Sequence, residues 1–181
     1  AVANYETKDE KARGEAFAAL VEHAAAFREQ HPQHAEALAW EGIVLSSYAG
    51  EVSAMGAMKY AKAARAALQS AEKLDATALA GGIYASLGAL YSKVPGGFIG
   101  FGDDKLAAQY FQKALAVNPD NIDNNYFYGE FLLDQGDYGR ARTVLEHALA
   151  APAITERPVF DAGRRQEIRT LLAVAERKTS S

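Results

Sequence analysis

The sequence predicts an all-α fold built as a stack of antiparallel helix hairpins, with about eight helices and a C-terminal capping helix. Good helix formers (Ala, Leu, Glu, Lys, Arg and Gln) dominate the chain, and Pro occurs only five times in 181 residues. Apolar residues recur at helical rather than alternating spacing. Phe17, Leu20, Val21 and Ala24 stand at i, i+3, i+4 and i+7, and Ile168, Leu171, Leu172 and Ala175 repeat the pattern near the other end. Each set predicts an amphipathic helix with one face to bury.

Breakers divide the chain in order. The first long helix, over 8–30, closes at Pro32 in "QHPQ". Later breaks fall at "YAGE" around Gly50, "KLDAT" around Asp75, the loop "YSKVPGGFIGFGDDK" over 91–105, "VNPDN" around Pro119, "DQGDY" around Gly136, and "APAITERP" before a last helix over 161–178. The whole chain, 1–181, is expected to form one helical domain.

Composition removes several function classes. There is no Cys, so disulfides, zinc–thiolate sites and thiol catalysis are excluded. Nineteen basic against 23 acidic residues give a net charge of −4, and the basic residues form no long run, so nucleic acid is not an expected partner. No segment has the roughly 20 consecutive apolar residues that span a bilayer. The opening "AVANYETKDE" lacks an initiator Met, which fits either a processed export signal or a cut made in the chain.

A period is visible at 122–152. Gly129 lies on a first helix, "QGDY" turns the chain, and Ala141, Leu145 and Ala148 follow at helical steps on a second. Upstream, Tyr84, Leu87, Gly88 and Tyr91 pair with Ala107, Phe111, Ala114 and Pro119, while Leu38, Gly42 and Leu45 pair with Ala64, Leu68 and Ala71. This pattern resembles the tetratricopeptide repeat. Relative to the family spacing, the second unit is about seven residues longer between Tyr91 and Ala107, and the first about ten longer after Leu45. The units are expected at about 8–34, 35–78, 79–121 and 122–152, with 161–178 as cap.

The resemblance implies a concave groove lined by the first helix of each unit. Mapped onto this chain, its wall is Glu36, Ala39, Ile43, Ser46 and Ser47, then Gly82, Ala85, Ala89, Ser92 and Lys93, then Asp123, Tyr126, Glu130, Leu133 and Asp134. The Lys, Asn and Arg set with which chaperone-binding members clamp a terminal carboxylate is missing at these positions, so that function is not implied. The acids of the third unit are expected to favour a basic partner. The stretch "KVPGGFIGFGDDKLAAQYFQKALAVNPDNIDNNYFYGEFL" is also similar to small exported bacterial tetratricopeptide proteins associated with periplasmic substrate transport. That likeness implies a periplasmic protein, or an outer-membrane lipoprotein whose signal and anchor precede Ala1.

The loop over 91–105 commits Phe98, Ile99 and Phe101 to a glycine-rich segment, and leaving such side chains in water forgoes about 1.5–3 kcal/mol each. It is expected to fold as a lid over one edge of the groove, the alternative being a plug that only covers the hydrophobic ends of the helices. Asp103 and Asp104 open the following helix, where carboxylates suit the positive end of the dipole and repel phosphate; capping is expected there, not nucleotide binding. Ala39, Ile43, Ala85, Ala89, Ser92, Phe98, Ile99, Phe101, Tyr126 and Leu133 are therefore the expected ligand-contacting set. Ser92 or Tyr126 would orient a polar head group.

His31 and His34 flank Pro32 without a third ligand at suitable spacing, so no metal site is expected. No nucleophile turn such as G-x-S-x-G occurs, and neither catalysis nor a cofactor is implied. The leading expectation is a non-catalytic protein that carries a hydrophobic or amphipathic small molecule, such as a fatty acid, hopanoid or sterol, for a transport system and docks on a transporter component. The competing expectation is an interaction adaptor whose groove takes a partner helix or peptide.

Overall fold

The structure, a computed structural model, describes residues 1–179. Its helices are α1 (Val2–Tyr5), α2 (Glu10–Gln30), α3 (Ala35–Ala49), α4 (Ala54–Leu74), α5 (Gly82–Lys93), α6 (Asp104–Val117), α7 (Ile122–Asp134), α8 (Tyr138–Ala150) and α9 (Pro158–Thr179), with a tight turn at Ala78–Gly81 before α5. Among the described residues there is no β-strand, and the all-α class holds. The one-turn α1 is additional to the eight predicted helices. Its four residues are too few to carry a periodicity signal.

Local chemistry sets the helix starts. Asp9, Asp103, Asn121 and Asp137 each stand at an N-cap and accept from backbone N–H groups of the first turn. The expected capping role of Asp103 is thus met, with Leu106 N–H donating to its carboxylate at 3.0 Å. Pro158 opens α9 at the first helical position, where its missing N–H costs nothing.

Three hairpins, α3–α4, α5–α6 and α7–α8, follow one another, and the first helices α3, α5, α7 and α9 lie side by side. The extra residues after Leu45 lengthen helices rather than form a long loop: α3 has 15 residues and α4 has 21, against 13 each in α7 and α8. Each hairpin closes on the same contact. A Cβ added at Gly42 would stand 2.6 Å from Leu68, at Gly88 2.8 Å from the Phe111 ring, and at Gly129 2.6 Å from Leu145. Each glycine therefore lets a large, fully buried side chain of the second helix lie on the first helix's backbone.

The two ends differ from the middle. Phe17 is buried in α2 but Leu20 is exposed, so the face predicted from Phe17 to Ala24 is only partly covered. The reason is positional: among the long helices α2 packs chiefly on α3, which leaves its other face toward solvent. At the other end Ile168 and Ala175 are fully buried and α9 lies on α8 and α7.

The joint between the second and third hairpins is polar. Leu79 and Ala80 take left-handed conformations (φ 55° and 51°) and Gly81 follows at φ 89°. For non-glycine residues this costs about 1–2 kcal/mol each. Asn124, 0% exposed, offsets it: its Nδ2 donates to Ala80 O at 3.1 Å, Ala114 O at 3.1 Å and Asn118 O at 3.2 Å. One side chain so ties the entry of α5, the end of α6 and the following turn to α7.

Two outcomes are expected from urea denaturation. Asn124→Ala should lower stability by about 2–3 kcal/mol, because the two N–H groups shared among three carbonyls are lost from a buried joint, and Asn124→Asp should cost more. Gly88→Ala should destabilise by about 1–3 kcal/mol through collision with Phe111, whereas Gly14→Ala, in α2 with open space around it, should stabilise by about 0.5–1 kcal/mol.

Candidate functional site

The wall expected to face a ligand is a real row of helices, but its residues divide into two groups. Ala39 and Ala85, at 0% and 1% exposure, are core residues that set helix spacing and present no surface. Ile43, Ala89 and Leu133 are half-buried, packed on the core yet partly open to solvent. Tyr126 is buried, its ring lying edge-on to Phe127 and under the Arg164 guanidinium, 3.9 Å from the ring centroid. Burial raises the pKa of its hydroxyl, which stays neutral.

The hydroxyls along the wall are engaged locally. Ser92 Oγ donates to Ala89 O at 3.0 Å, and Ser46 and Ser47 both donate to Ile43 O, at 2.9 and 3.0 Å. Such bonds return the side chain to its own helix. The head-group role expected of Ser92 or Tyr126 gains no free donor from this arrangement.

The acids of the third hairpin are also paired within the chain. Lys93 Nζ lies 2.6 Å from Asp134 and 3.3 Å from Glu130, bridging α5 and α7, and Arg164 Nε donates to Asp123 at 2.7 Å. Burial works against the Lys93 charge, but the Asp134 hydrogen bond and the two carboxylates outweigh it and hold the ammonium above its usual range. Lys93 and Arg164 thus engage the acids expected to draw a basic partner, but as two cations against the four carboxylates of Asp123, Glu130, Asp134 and Glu167, so the region keeps an acidic balance.

The loop after Lys93 does not lie as a lid. Phe101 turns inward, 5.6 Å from Tyr91 in an edge-on pair and 4.0 Å from the Arg65 guanidinium. Phe98 is fully exposed and Ile99 is 75% exposed. The physical reason is the closure of the loop on itself. Gly102 N–H donates to Pro95 O, Asp103 N–H to Tyr91 O, and at Gly100 and Gly102 a Cβ would strike the backbone oxygens of Pro95 and Val94. The ring so formed carries Phe98 and Ile99 at its apex, away from its own base. Met58 of α4 reaches the loop beside Gly100, so α4 and the loop meet along one edge.

Sequence reasoning missed the cluster at α9. Arg164 is buried between Asp123 and Glu167, both at 2.7 Å, and Tyr5 from α1 donates its hydroxyl to Glu167 at 2.9 Å. The Arg164–Glu167 spacing of i, i+3 was visible; the partners Asp123 and Tyr5, 41 and 162 residues away, were not.

A second concavity, of about 630 Å³, opens between the end of α2, α3 and α4. Leu38, Leu45, Ala63, Ala66 and Leu74 line it beneath an Arg28–Glu41 ion pair at 3.2 Å. None of the expected ligand-contacting residues lies there. His31 and His34 stand nearby as exposed rings 6.4 Å apart, with His31 packed on Phe27 at 4.5 Å. Among the described residues no group of three or more His, Asp or Glu side chains is arranged to hold a metal ion.

The loop geometry makes the two phenylalanines separable. Phe101→Ser should destabilise the fold by about 1–3 kcal/mol, while Phe98→Ser should leave the melting temperature within a degree or two, as expected of a surface site. Thermal unfolding of the two single variants measures this directly.

Comparison with protein families gives a match over residues 99–153 to the family described as Tetratricopeptide repeat. Comparison with curated proteins gives no match. The matched segment spans the apex of the loop, α6, α7 and α8, so this part of the chain is tetratricopeptide-like in sequence as well as in architecture.

Proposed function

We propose that the protein is a non-catalytic scaffold whose concave face, formed by α3, α5, α7 and α9, binds a segment of another protein. One observation carries the reading. Ile43, Ala89 and Leu133 stay half-exposed on successive first helices, while the serines and acids beside them are satisfied within the chain. A wall with apolar side chains open and its acids engaged by Lys93 and Arg164 favours an amphipathic helix or apolar segment over a peptide recognised by charge alone. The tetratricopeptide match supports the same class, since repeats of this kind commonly serve as interaction modules.

Carriage of a lipid in the periplasm is the second reading, favoured now by a different feature. The 630 Å³ concavity of α2, α3 and α4 has an apolar floor and a charged rim, and its size lies within the range of small-molecule sites. Retention of an acyl lipid through purification, lost on Ala66→Trp, would favour it.

A photo-crosslinking residue at Ala89 or Leu133 in host cells should capture a discrete partner. The same residue at Gln112, exposed on α6, should not. Equal capture from Gln112, or none from either wall position, would overturn the scaffold reading.

A further inference from the structure

The α7–α9 end of the wall is occupied by the chain's own N-terminal segment. Tyr5 packs into the same apolar cluster as Tyr126, a wall position, and its ring lies so close on Gly163 that any Cβ there would collide with it. Its hydroxyl donates to Glu167 at 2.9 Å, and Ala3 is buried at 8% exposure. Burial pushes the Tyr5 hydroxyl up to about 12, Arg164 pulling against that rise and Glu167 adding to it, so the group remains a donor. Asp9 caps α2 immediately afterwards, and Arg13 anchors α2 to Glu51 at 2.8 Å. Residues 2–9 therefore run as a strap from α2 at one end of the stack to α9 at the other.

Two features set this contact apart from ordinary core packing. The strap is thinly attached: α1 packs chiefly on α9 and α2, and its side-chain hydrogen bond to α9 is the one from Tyr5 to Glu167. The surface beneath it is satisfied without it. Arg164 keeps both Asp123 and Glu167 at 2.7 Å, and Gly163 is flat by composition, so removing Tyr5 leaves no unpaired buried charge. A site whose charges are already paired can exchange its apolar occupant without stranding a buried charge.

We infer that the Gly163–Glu167 face of α9, with Tyr126 of α7, is a recognition site for a short tyrosine-bearing segment, filled in the free protein by residues 2–5, and that a partner segment of the same chemistry enters by displacing them. The inference rests on the scaffold reading. It adds the kind of segment taken: an unmodified tyrosine, its ring on Gly163 and its hydroxyl on Glu167, preceded by small residues as in "VANY". A phosphorylated tyrosine is disfavoured, because Arg164 is already shared by Asp123 and Glu167 and a phosphate there would meet a net negative cluster.

The test uses the full chain carrying Tyr5→Ala and a labelled peptide of residues 1–9, AVANYETKD, supplied in trans. Fluorescence anisotropy should show saturable binding to Y5A and at least about tenfold weaker binding to the wild type, whose own strap competes at the millimolar effective concentration of a short tether. The phosphotyrosine peptide should not bind. Absence of saturable binding to folded Y5A, or equal binding to both chains, overturns the proposal. Should Y5A fold poorly, Gly163→Ala provides the second arm, since it adds a helix-favouring methyl that expels the ring. Amide exchange of residues 2–7 should then rise by at least about tenfold, and unchanged protection overturns the proposal. Partner capture at Ala89 without peptide binding would refute this inference alone and leave the scaffold reading standing.

Discussion

One buried amide holds the repeat stack in register. Asn124 reaches from α7 to three carbonyls contributed by the turn before α5, the end of α6 and the turn that follows α6. Those carbonyls belong to places where helices begin and end, which is where backbone groups lack intrahelical partners. The amide offsets part of the left-handed strain at Leu79 and Ala80, together with the packing of Leu79 on the core. Gly81 is bound to the same joint, because any side chain there would meet Ala114 O and Asn124 Nδ2 at 2.7 and 2.8 Å. The orientation of the concave wall across α5 and α7 follows from this joint.

Within each hairpin the constraint is steric. Gly42, Gly88 and Gly129 each face a large residue of the second helix, so hairpins of unequal length still close with the same interhelical approach. This explains why the chain tolerates its insertions. Residues added after Leu45 extend α3 and α4 beyond the contact that the three hairpins share, and those added after Tyr91 close into a glycine ring outside it. The Phe111, Tyr128 and Phe131 rings then cluster between the second and third hairpins at 5.3 to 6.4 Å, supplying apolar contact where the glycines leave no side chain.

Charge is organised inward along the wall. Lys93 joins α5 to α7 and Arg164 joins α9 to α7, each cation meeting two carboxylates. Half-buried pairs of this kind contribute modestly to stability but fix which helices neighbour one another. With two cations facing four carboxylates, the wall keeps a modest negative balance. On the scaffold reading, shape and apolar contact at Ile43, Ala89 and Leu133 are the main means by which it would distinguish a partner.

The all-α class, the breaks at Pro32, Gly50, Asp75, Pro119 and Gly136, the capping by Asp103 and the hairpin register were legible in the sequence, because each depends on neighbours within a few residues or on a spacing of one repeat. The candidate site was legible only as a set of helix positions. Whether Ala39 and Ala85 meet solvent or core depends on how closely adjacent helices approach, and that distance is set by Gly42 and Gly88 together with Leu68 and Phe111. The loop misled because apolar side chains say that burial is favourable without saying what geometry permits; the backbone contacts at Gly100 and Gly102 turned Phe101 in and left Phe98 and Ile99 out. The acids at Asp123, Glu130 and Asp134 read as a surface until folding brought Lys93 and Arg164 to them. Tyr5 and Glu167, 162 residues apart, meet only through the tertiary packing of α1 on α9, which no local pattern encodes.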